Sequence, residues 1–293
     1  MSALDKEFEK SRKRLFGLAY RMLGSASDAE DIVQETWLRA HDAAADDIRS
    51  PEAYFVTIAT RLCLDALKSA KKKRETYIGP WLPEPIGDTN GLSPENQLEF
   101  ADDLSFALLM TLEKLSPPER AAFLLHDVFD APFPDIAATL GKTEAACRQL
   151  ASRARKAVRA GKQARNAAPE AHAALLAKFA EAIATGDAKN IETLLAADCV
   201  AYSDGGGVKT AALNPIFGAD RVARFFEGLA GKAMRQGLMP SFETGAVNGA
   251  PALLLYDGAE LDQTLSIAIS DRKIAALYLV RNPDKLRRAA SHD

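Results

Sequence analysis

Apolar positions recur at helical spacing through the first part of the chain. Ala29, Ile32, Val33, Thr36, Trp37 and Ala40 fall at i, i+3, i+4, i+7, i+8 and i+11, one stripe down one side of a helix. Asp31, Gln34 and Glu35 lie off the centre of that stripe, and Ser27-Asp28-Ala29-Glu30 reads as a capping box that opens the helix. Ser50-Pro51 predicts the next helix start, with serine as cap and proline in the first turn, where its missing N–H costs nothing. That helix carries Tyr54, Phe55, Ile58, Ala59, Leu62 and Leu67 and runs into Lys71-Lys72-Lys73-Arg74. The placing of Tyr54 and Phe55 favours core over base-stacking platforms.

A second helical stretch begins near Ser93. Ser116-Pro117-Pro118-Glu119 is another capping box, and Phe133–Leu140 is a helix stopped by Gly141, with a new helix from Thr143. Two helices joined by a short glycine-containing turn, the second one basic, predict a helix-turn-helix. On the second helix Ala145, Arg148, Gln149, Ser152, Arg153 and Lys156 share one face, and Ala146, Cys147, Leu150, Ala154 and Val158 the other. Cys147 thus falls on the packing side, which favours a buried apolar role over a redox one. Between the two helical stretches, residues 76–96 hold four prolines and three glycines, an extended linker.

From Pro169 the period changes. Helical patterns at 170–185, 188–196 and 219–230 precede or interrupt strand-like runs at Cys199–Ser203, Met239–Val247, Ala252–Tyr256, Leu261–Ile269 and Lys273–Val280. Asn248-Gly249 and Asp257-Gly258 are hairpin signals, and Asp204-Gly205-Gly206-Gly207 is a further break. The pattern predicts an α+β domain ending in an antiparallel meander. The organisation is therefore 1–75 helical, 76–96 linker, 97–165 helical, 169–288 α+β, and a short tail 289–293.

Composition narrows the chemistry. With 293 residues, 47% hydrophobic and 26% charged, the chain is globular, with no apolar run long enough to span a bilayer and no amino-terminal signal-peptide pattern. Cys63, Cys147 and Cys199 lie far apart, which fits a reducing, cytoplasmic setting, and neither they nor the scattered histidines His41, His126, His172 and His292 have metal-ligand spacing. No metal or cofactor is predicted. The net charge of −3 hides segregation: residues 142–165 have a balance of +7, residues 76–130 one of −8, and residues 28–52 hold eight acids against Arg39 and Arg49. Alternating basic and acidic blocks suit a protein that meets a polyanion with some surfaces and another protein with others.

These motifs carry a family resemblance. Asp28–Ala40, followed by Cys63-Leu64-Asp65-Ala66-Leu67 and the basic run, resembles region 2 of extracytoplasmic-function sigma factors of the sigma-70 family. Residues 112–158, with Leu115-Ser116-Pro117-Pro118-Glu119-Arg120 and the helix-turn-helix, resemble their region 4. Residues 169–288 are similar to the cone-shaped SnoaL-like domains of the nuclear-transport-factor-2 superfamily. Trp81-Leu82-Pro83-Glu84-Pro85, Asp204–Gly207 and Asn282-Pro283-Asp284-Lys285-Leu286 resemble signatures of the sigma subgroup with that fused domain. Val208 separates the glycines from Lys209, where the subgroup has lysine directly after them.

The resemblance implies a sigma factor, not an enzyme, whose fused domain regulates it in place of a separate anti-sigma protein. It implies that Asp31, Gln34 and Glu35 meet the clamp helices of the largest RNA polymerase subunit. Arg61, Lys68, Lys71, Lys72, Lys73 and Arg74 would hold the −10 element of promoter DNA, with the acidic stretch 42–49 near a flipped base. Arg148, Gln149, Ser152, Arg153 and Lys156 would enter the major groove at the −35 element, while Arg155 and Arg159 hold phosphates. Trp81, Pro83 and Pro85 would dock at Asp204, Gly205, Gly206 and Gly207, with Asn282, Pro283, Asp284, Lys285 and Leu286 beside them. The free protein is expected to be monomeric and to make no membrane contact. The runner-up is a SnoaL-like enzyme fused to a helix-turn-helix regulator, with Tyr202 and Asp204 lining its pocket and the glycine N–H groups offered to an anion.

Overall fold

The computed structural model describes residues 3–41, 50–87, 104–162, 169–237, 242–287 and 289. They form two compact units. One joins Met1–Thr76 with Thr111–Ala160, the other Tyr77–Met110 with Gly161–Asp293.

In the first unit, α1 (Ala3–Leu23), α2 (Ala26–His41) and α3 (Pro51–Glu75) pack together. The stripe on α2 is buried at Ala29, Ile32, Val33, Thr36 and Ala40, as its periodicity demands. Phe55 is sealed in this core, edge-on to Phe8 at 5.3 Å. The cap of α2 is a correction. The helix already begins at Ala26, so Ser27 lies inside its first turn, and Ser25 Oγ accepts from the Asp28 amide at 3.1 Å. Among Ser/Thr/Asp residues, the one that caps is the one placed where the chain enters helical geometry.

α4 (Phe106–Glu113) leads to α5 (Pro117–Phe123), which continues as a π turn, Leu124–Val128. The predicted box at Ser116 forms: the Glu119 carboxylate accepts from the Ser116 amide at 3.1 Å and its hydroxyl at 2.6 Å. α6 (Phe133–Leu140) ends at Gly141, which takes the left-handed conformation (φ 62°) that closes a helix. α7 (Glu144–Lys162) follows after Thr143, whose hydroxyl accepts from the Ala146 amide. Cys147, Leu150, Ala151, Ala154 and Val158 are buried, and Cys147, Leu150 and Ala151 pack on Ile136 and Leu125. Burial pushes the Cys147 thiol pKa up, consistent with an inert packing residue.

The second unit holds α8 (Pro169–Thr185), α9 (Ala188–Leu194) and α10 (Ala219–Arg235) against a six-stranded sheet. Its strands are β1 (Leu195–Asp204), β2 (Ile216–Phe217), β3 (Phe242–Val247), β4 (Ala250–Asp257), β5 (Glu260–Ser270) and β6 (Lys273–Val280), in the order β2-β1-β6-β5-β4-β3. A short α11 (Pro283–Leu286) follows. β3 to β6 form the expected antiparallel meander, but β1 pairs with β6 in parallel, so the sheet is mixed. The chain leaves β1, passes through β2 and α10, and starts the meander at the far edge. Its last strand then comes home alongside β1. β1 also begins at Leu195, taking residues read from periodicity as the end of a helix.

Both faces of the sheet are covered, which is why β5 is buried almost continuously rather than alternately. Leu265, Ile267 and Ile269 meet Phe179 and Phe226 of the helical layer. The other face carries Tyr278, Val280, Ala268 and Leu254 against Leu82 of the linker and Phe106 of α4. Asn248-Gly249 (φ 55° and 74°) makes the β3–β4 turn. The β5–β6 turn uses Asp271-Arg272 (φ 49° and 62°), a pair without the glycine signal. No helix among the described residues is long and apolar enough to cross a membrane.

Candidate functional site

Three surfaces of the first unit carry the residues singled out in the sequence. On α2, Asp31 and Gln34 are exposed and Glu35 is half-buried, its carboxylate accepting from Arg39 Nε at 2.7 Å. Gln34 borders a groove of about 530 Å³ between α1 and α2, with Phe8, Val33, Trp37 and Leu38 in its walls. The arrangement offers a carboxylate and an amide beside apolar surface, which suits a protein contact.

On α3, Arg61 and Lys68 are exposed, and Lys68 pairs with Asp65 at 2.8 Å. Arg61 is engaged: Nη2 donates to Ala138 O at 3.0 Å and Nε to Thr139 O at 3.2 Å. The side chains of Lys71, Lys72, Lys73 and Arg74, and the acidic stretch 42–49, lie outside the described residues.

On α7, Arg148, Gln149, Ser152, Arg153 and Lys156 all point outward. Arg148 pairs with Glu144 at 2.7 Å and lies 5.1 Å from the centre of the Phe133 ring, while Arg153 reaches Glu119 at 3.3 Å. Arg155 is held by both carboxylate oxygens of Asp127 at 2.7 and 3.0 Å. The basic helix thus presents Gln149, Ser152 and Lys156 beside arginines already oriented by acids.

The second unit brings the linker and the sequence breaks together. Leu82, Pro83, Glu84 and Pro85 are buried, and Trp81 half-buried. Asp204, at the end of β1, has 0% exposure. Its Oδ1 accepts from the Tyr77 hydroxyl at 2.5 Å and the Gly206 amide at 3.1 Å. Its Oδ2 accepts from the Leu82 amide at 2.8 Å and Lys285 Nζ at 2.7 Å. A carboxylate has about four acceptor positions, and here each has a donor. The Asp204 carbonyl takes the Arg281 and Asn282 amides at 2.7 and 3.0 Å.

Lys285 also donates to Leu82 O at 2.5 Å and lies 4.2 and 5.0 Å from the centres of the Trp81 and Tyr77 rings, a cation between two aromatic faces. Asn282 caps α11 through Asp284 N and donates from Nδ2 to the Tyr77 hydroxyl at 2.9 Å. The two glycines that follow Gly205 face these partners. A Cβ on Gly206 (φ 62°) would stand 2.4 Å from Asn282 Nδ2, and one on Gly207 (φ 75°) 2.9 Å from Ile78. Leu286 is buried in the same cluster as Leu82, whereas Pro283 and Asp284 remain exposed.

The Gly206 N–H offered to an anion is consumed by Asp204 itself. Tyr202 stacks on Tyr278 at 5.8 Å, and the acceptor positions of the Asp204 carboxylate are taken by the four donors above. Lys209, displaced by Val208, pairs with Asp262 at 2.6 Å, and Arg281 holds the other Asp262 oxygen at 2.8 Å. Burial pushes the Asp262 carboxyl up, but these two cations more than offset it and hold its pKa below the ordinary value.

Several residues escaped sequence reasoning. Tyr77 sits four residues before Trp81 and carried no signal of its own. Asn248 was legible only as a turn residue. Buried, it exchanges two bonds with Ile86 (2.8 and 2.8 Å) and donates to Leu104 O at 2.9 Å, fastening both the linker and the approach to α4. Phe106 stacks on Tyr278 at 5.3 Å, a contact no local pattern encodes.

Residues 8–73 match the family model for Sigma-70 region 2, and residues 105–158 that for Sigma-70, region 4. The chain is 41% identical over 290 residues to the ECF RNA polymerase sigma factor SigJ of Mycobacterium tuberculosis, covering 95% of this chain and 92% of that protein. It is 32% identical over 279 residues to the probable ECF RNA polymerase sigma factor SigI of the same species, covering 94% and 92%. The crystal structure of Mycobacterium tuberculosis SigJ superposes with a TM-score of 0.76 at 37% identity, covering 97% of this chain and 98% of that one.

Proposed function

Because the chain belongs to the extracytoplasmic-function sigma factors of the sigma-70 family, RNA polymerase subunits that direct promoter-specific initiation, we propose that its α+β domain regulates it by gripping the linker between the two promoter-binding regions. Region 2 would contact the clamp helices of the largest polymerase subunit through Asp31, Gln34 and Glu35, and the −10 element through Arg61, Lys68 and the basic run. Region 4 would read the −35 element through Arg148, Gln149, Ser152, Arg153 and Lys156. Arg offers a fork to guanine and Gln a matched pair to adenine. The free protein acts in the cytoplasm as a monomer, with its regulator built into the chain.

The observation that carries the regulatory reading is the saturation of Asp204. A buried carboxylate with two donors from the linker, one from its own turn and one from the α11 lysine makes linker placement depend on the α+β domain. Removing any one partner leaves a fully buried carboxylate short of a bond, so the grip releases as a unit. Regulation rather than catalysis suits a face whose polar anchor is already used internally.

In vitro transcription with purified core polymerase tests the proposal. Full-length protein should give promoter-specific transcripts, and a variant ending at Val280, which lacks Asn282 and Lys285, should give several-fold more from the same promoter. Equal output from both would refute the regulatory reading.

A further inference from the structure

Acids hold three arginines of α7 in three different ways. Arg148 gives Nη2 to Glu144, one turn back on the same helix, at 2.7 Å, and both side chains are half exposed. Arg155 is only 31% exposed, and its Nε is taken by both oxygens of Asp127. Arg153 differs from both. Its acid comes from another helix, its side chain is 65% exposed, and the nitrogen nearest the carboxylate is Nε, 3.3 Å from Glu119 Oε1. Approached through Nε, the guanidinium keeps its terminal nitrogens, Nη1 and Nη2, as its outermost donors.

Glu119 can aim a neighbour because it is itself fixed. Its Oε2 accepts from the Ser116 amide at 3.1 Å and the Ser116 hydroxyl at 2.6 Å, and its side chain is only 19% exposed. The Ser116 bonds, and after them the charge of Arg153, hold the Glu119 carboxyl below its ordinary pKa, so it is an anion at neutral pH. An ion pair this exposed at its arginine adds little to stability. What it supplies is direction. Charge adds a second argument, since an arginine on this face can either grip a phosphate or read a base edge. A carboxylate 3.3 Å away offsets the cation and repels a phosphate, yet leaves the N–H donors intact for a neutral acceptor. The base edge matched by a two-nitrogen fork is that of guanine, through O6 and N7.

We infer that Glu119 is a positioning residue for Arg153, and that Arg153 so aimed reads a guanine of the −35 element rather than holding a phosphate. This rests on the −35 role proposed for Arg153 and adds both its target and the residue that orients it. The box that opens α5 thereby takes part in promoter selection: Ser116 fixes Glu119, and Glu119 fixes the fork that meets the base.

Holoenzyme assembled from the full chain and core polymerase tests it, on promoters carrying each of the four bases at every position of the −35 element that wild type selects. Wild type should prefer guanine at least about tenfold at one position, and Arg153→Ala and Arg153→Lys should each bring that preference to within about twofold of none. Glu119→Gln keeps an acceptor for Ser116 but loses the charge. It should weaken the preference at least about threefold at the same position, spare the other positions, and steepen the fall of promoter binding with salt as Arg153 turns to a phosphate. In the Arg153→Ala background, Glu119→Gln should change base preference no further. Unaltered base preference in Glu119→Gln overturns the positioning role, and so does an equal loss of output on every −35 sequence, the mark of a damaged fold. Arg153 variants that weaken all sequences alike make it a phosphate contact, which overturns the guanine reading and leaves the sigma assignment intact. A wild-type holoenzyme indifferent to every −35 base removes the −35 role itself, and the aiming of Arg153 with it.

Discussion

The ammonium of Lys285 lies 2.7 Å from Oδ2 of Asp204 and 4.2 Å from the centre of the Trp81 ring. One cation therefore joins the helix after β6, the end of β1 and the linker, elements separated by 81 residues of sequence or more. Asp204 is fully buried and Lys285 nearly so, and a pair of that kind matters most when it is broken from one side.

Lys285→Met keeps the aliphatic stem and removes the charge. Asp204 and Leu82 O each lose a donor without gaining water, which should cost about 2–4 kcal/mol in the second unit. Urea unfolding measures the loss, and the emission of Trp81 should shift to the red as its ring becomes wetter. A cost below about 0.5 kcal/mol, in the range of a surface substitution, would mean the cation does not hold the linker.

Gly206 and Gly258 have nearly the same φ, 62° and 63°, but different surroundings: nothing lies within 4 Å of a Cβ at Gly258. Gly258→Ala should show the strain alone, about 1 kcal/mol. Gly206→Ala adds a collision with Asn282 and should cost about 2–4 kcal/mol. It should also speed proteolysis of the linker. Equal costs at the two sites would separate the triple glycine from any role in docking.

Tyr77 supplies a pH signature. Burial, and the Asp204 carboxylate to which its hydroxyl donates, push the phenol pKa well above the ordinary tyrosine range. A raised folded value means the folded state keeps its proton longer than the unfolded chain. Its stabilisation is whole below the unfolded value of about 10 and falls above it by at most about 1.4 kcal/mol per pH unit. The stability difference between wild type and Tyr77→Phe should thus be constant from neutral pH to about 9 and shrink above 10. Chemical denaturation across that range measures it, and a difference that does not change with pH would refute the buried bond.

The helices of the first unit were legible because their information is local. A stripe at helical spacing has one side to bury, and Ser116-Pro117 and Gly141 mark helix ends by backbone chemistry that needs no partner. The outward face of α7 follows from the same period. A local error there, Ser27 in place of Ser25 as the cap of α2, arose because several residues within three positions have the right side chain and only the path of the chain selects among them.

The amino-acid sequence by itself determined the order of helical and strand segments, the basic face of the helix-turn-helix and the family to which these motifs belong. These depend on neighbours within a turn or two, or on motif strings. Only the tertiary structure decided that β1 runs parallel to β6, that Tyr77 joins Leu82 and Lys285 on Asp204, and that Arg61 is already bonded to α6. Each is a pairing between distant segments, in which many residues offer the same donor or charge. Which of them meet depends on where folding carries the backbone, and no local pattern records that.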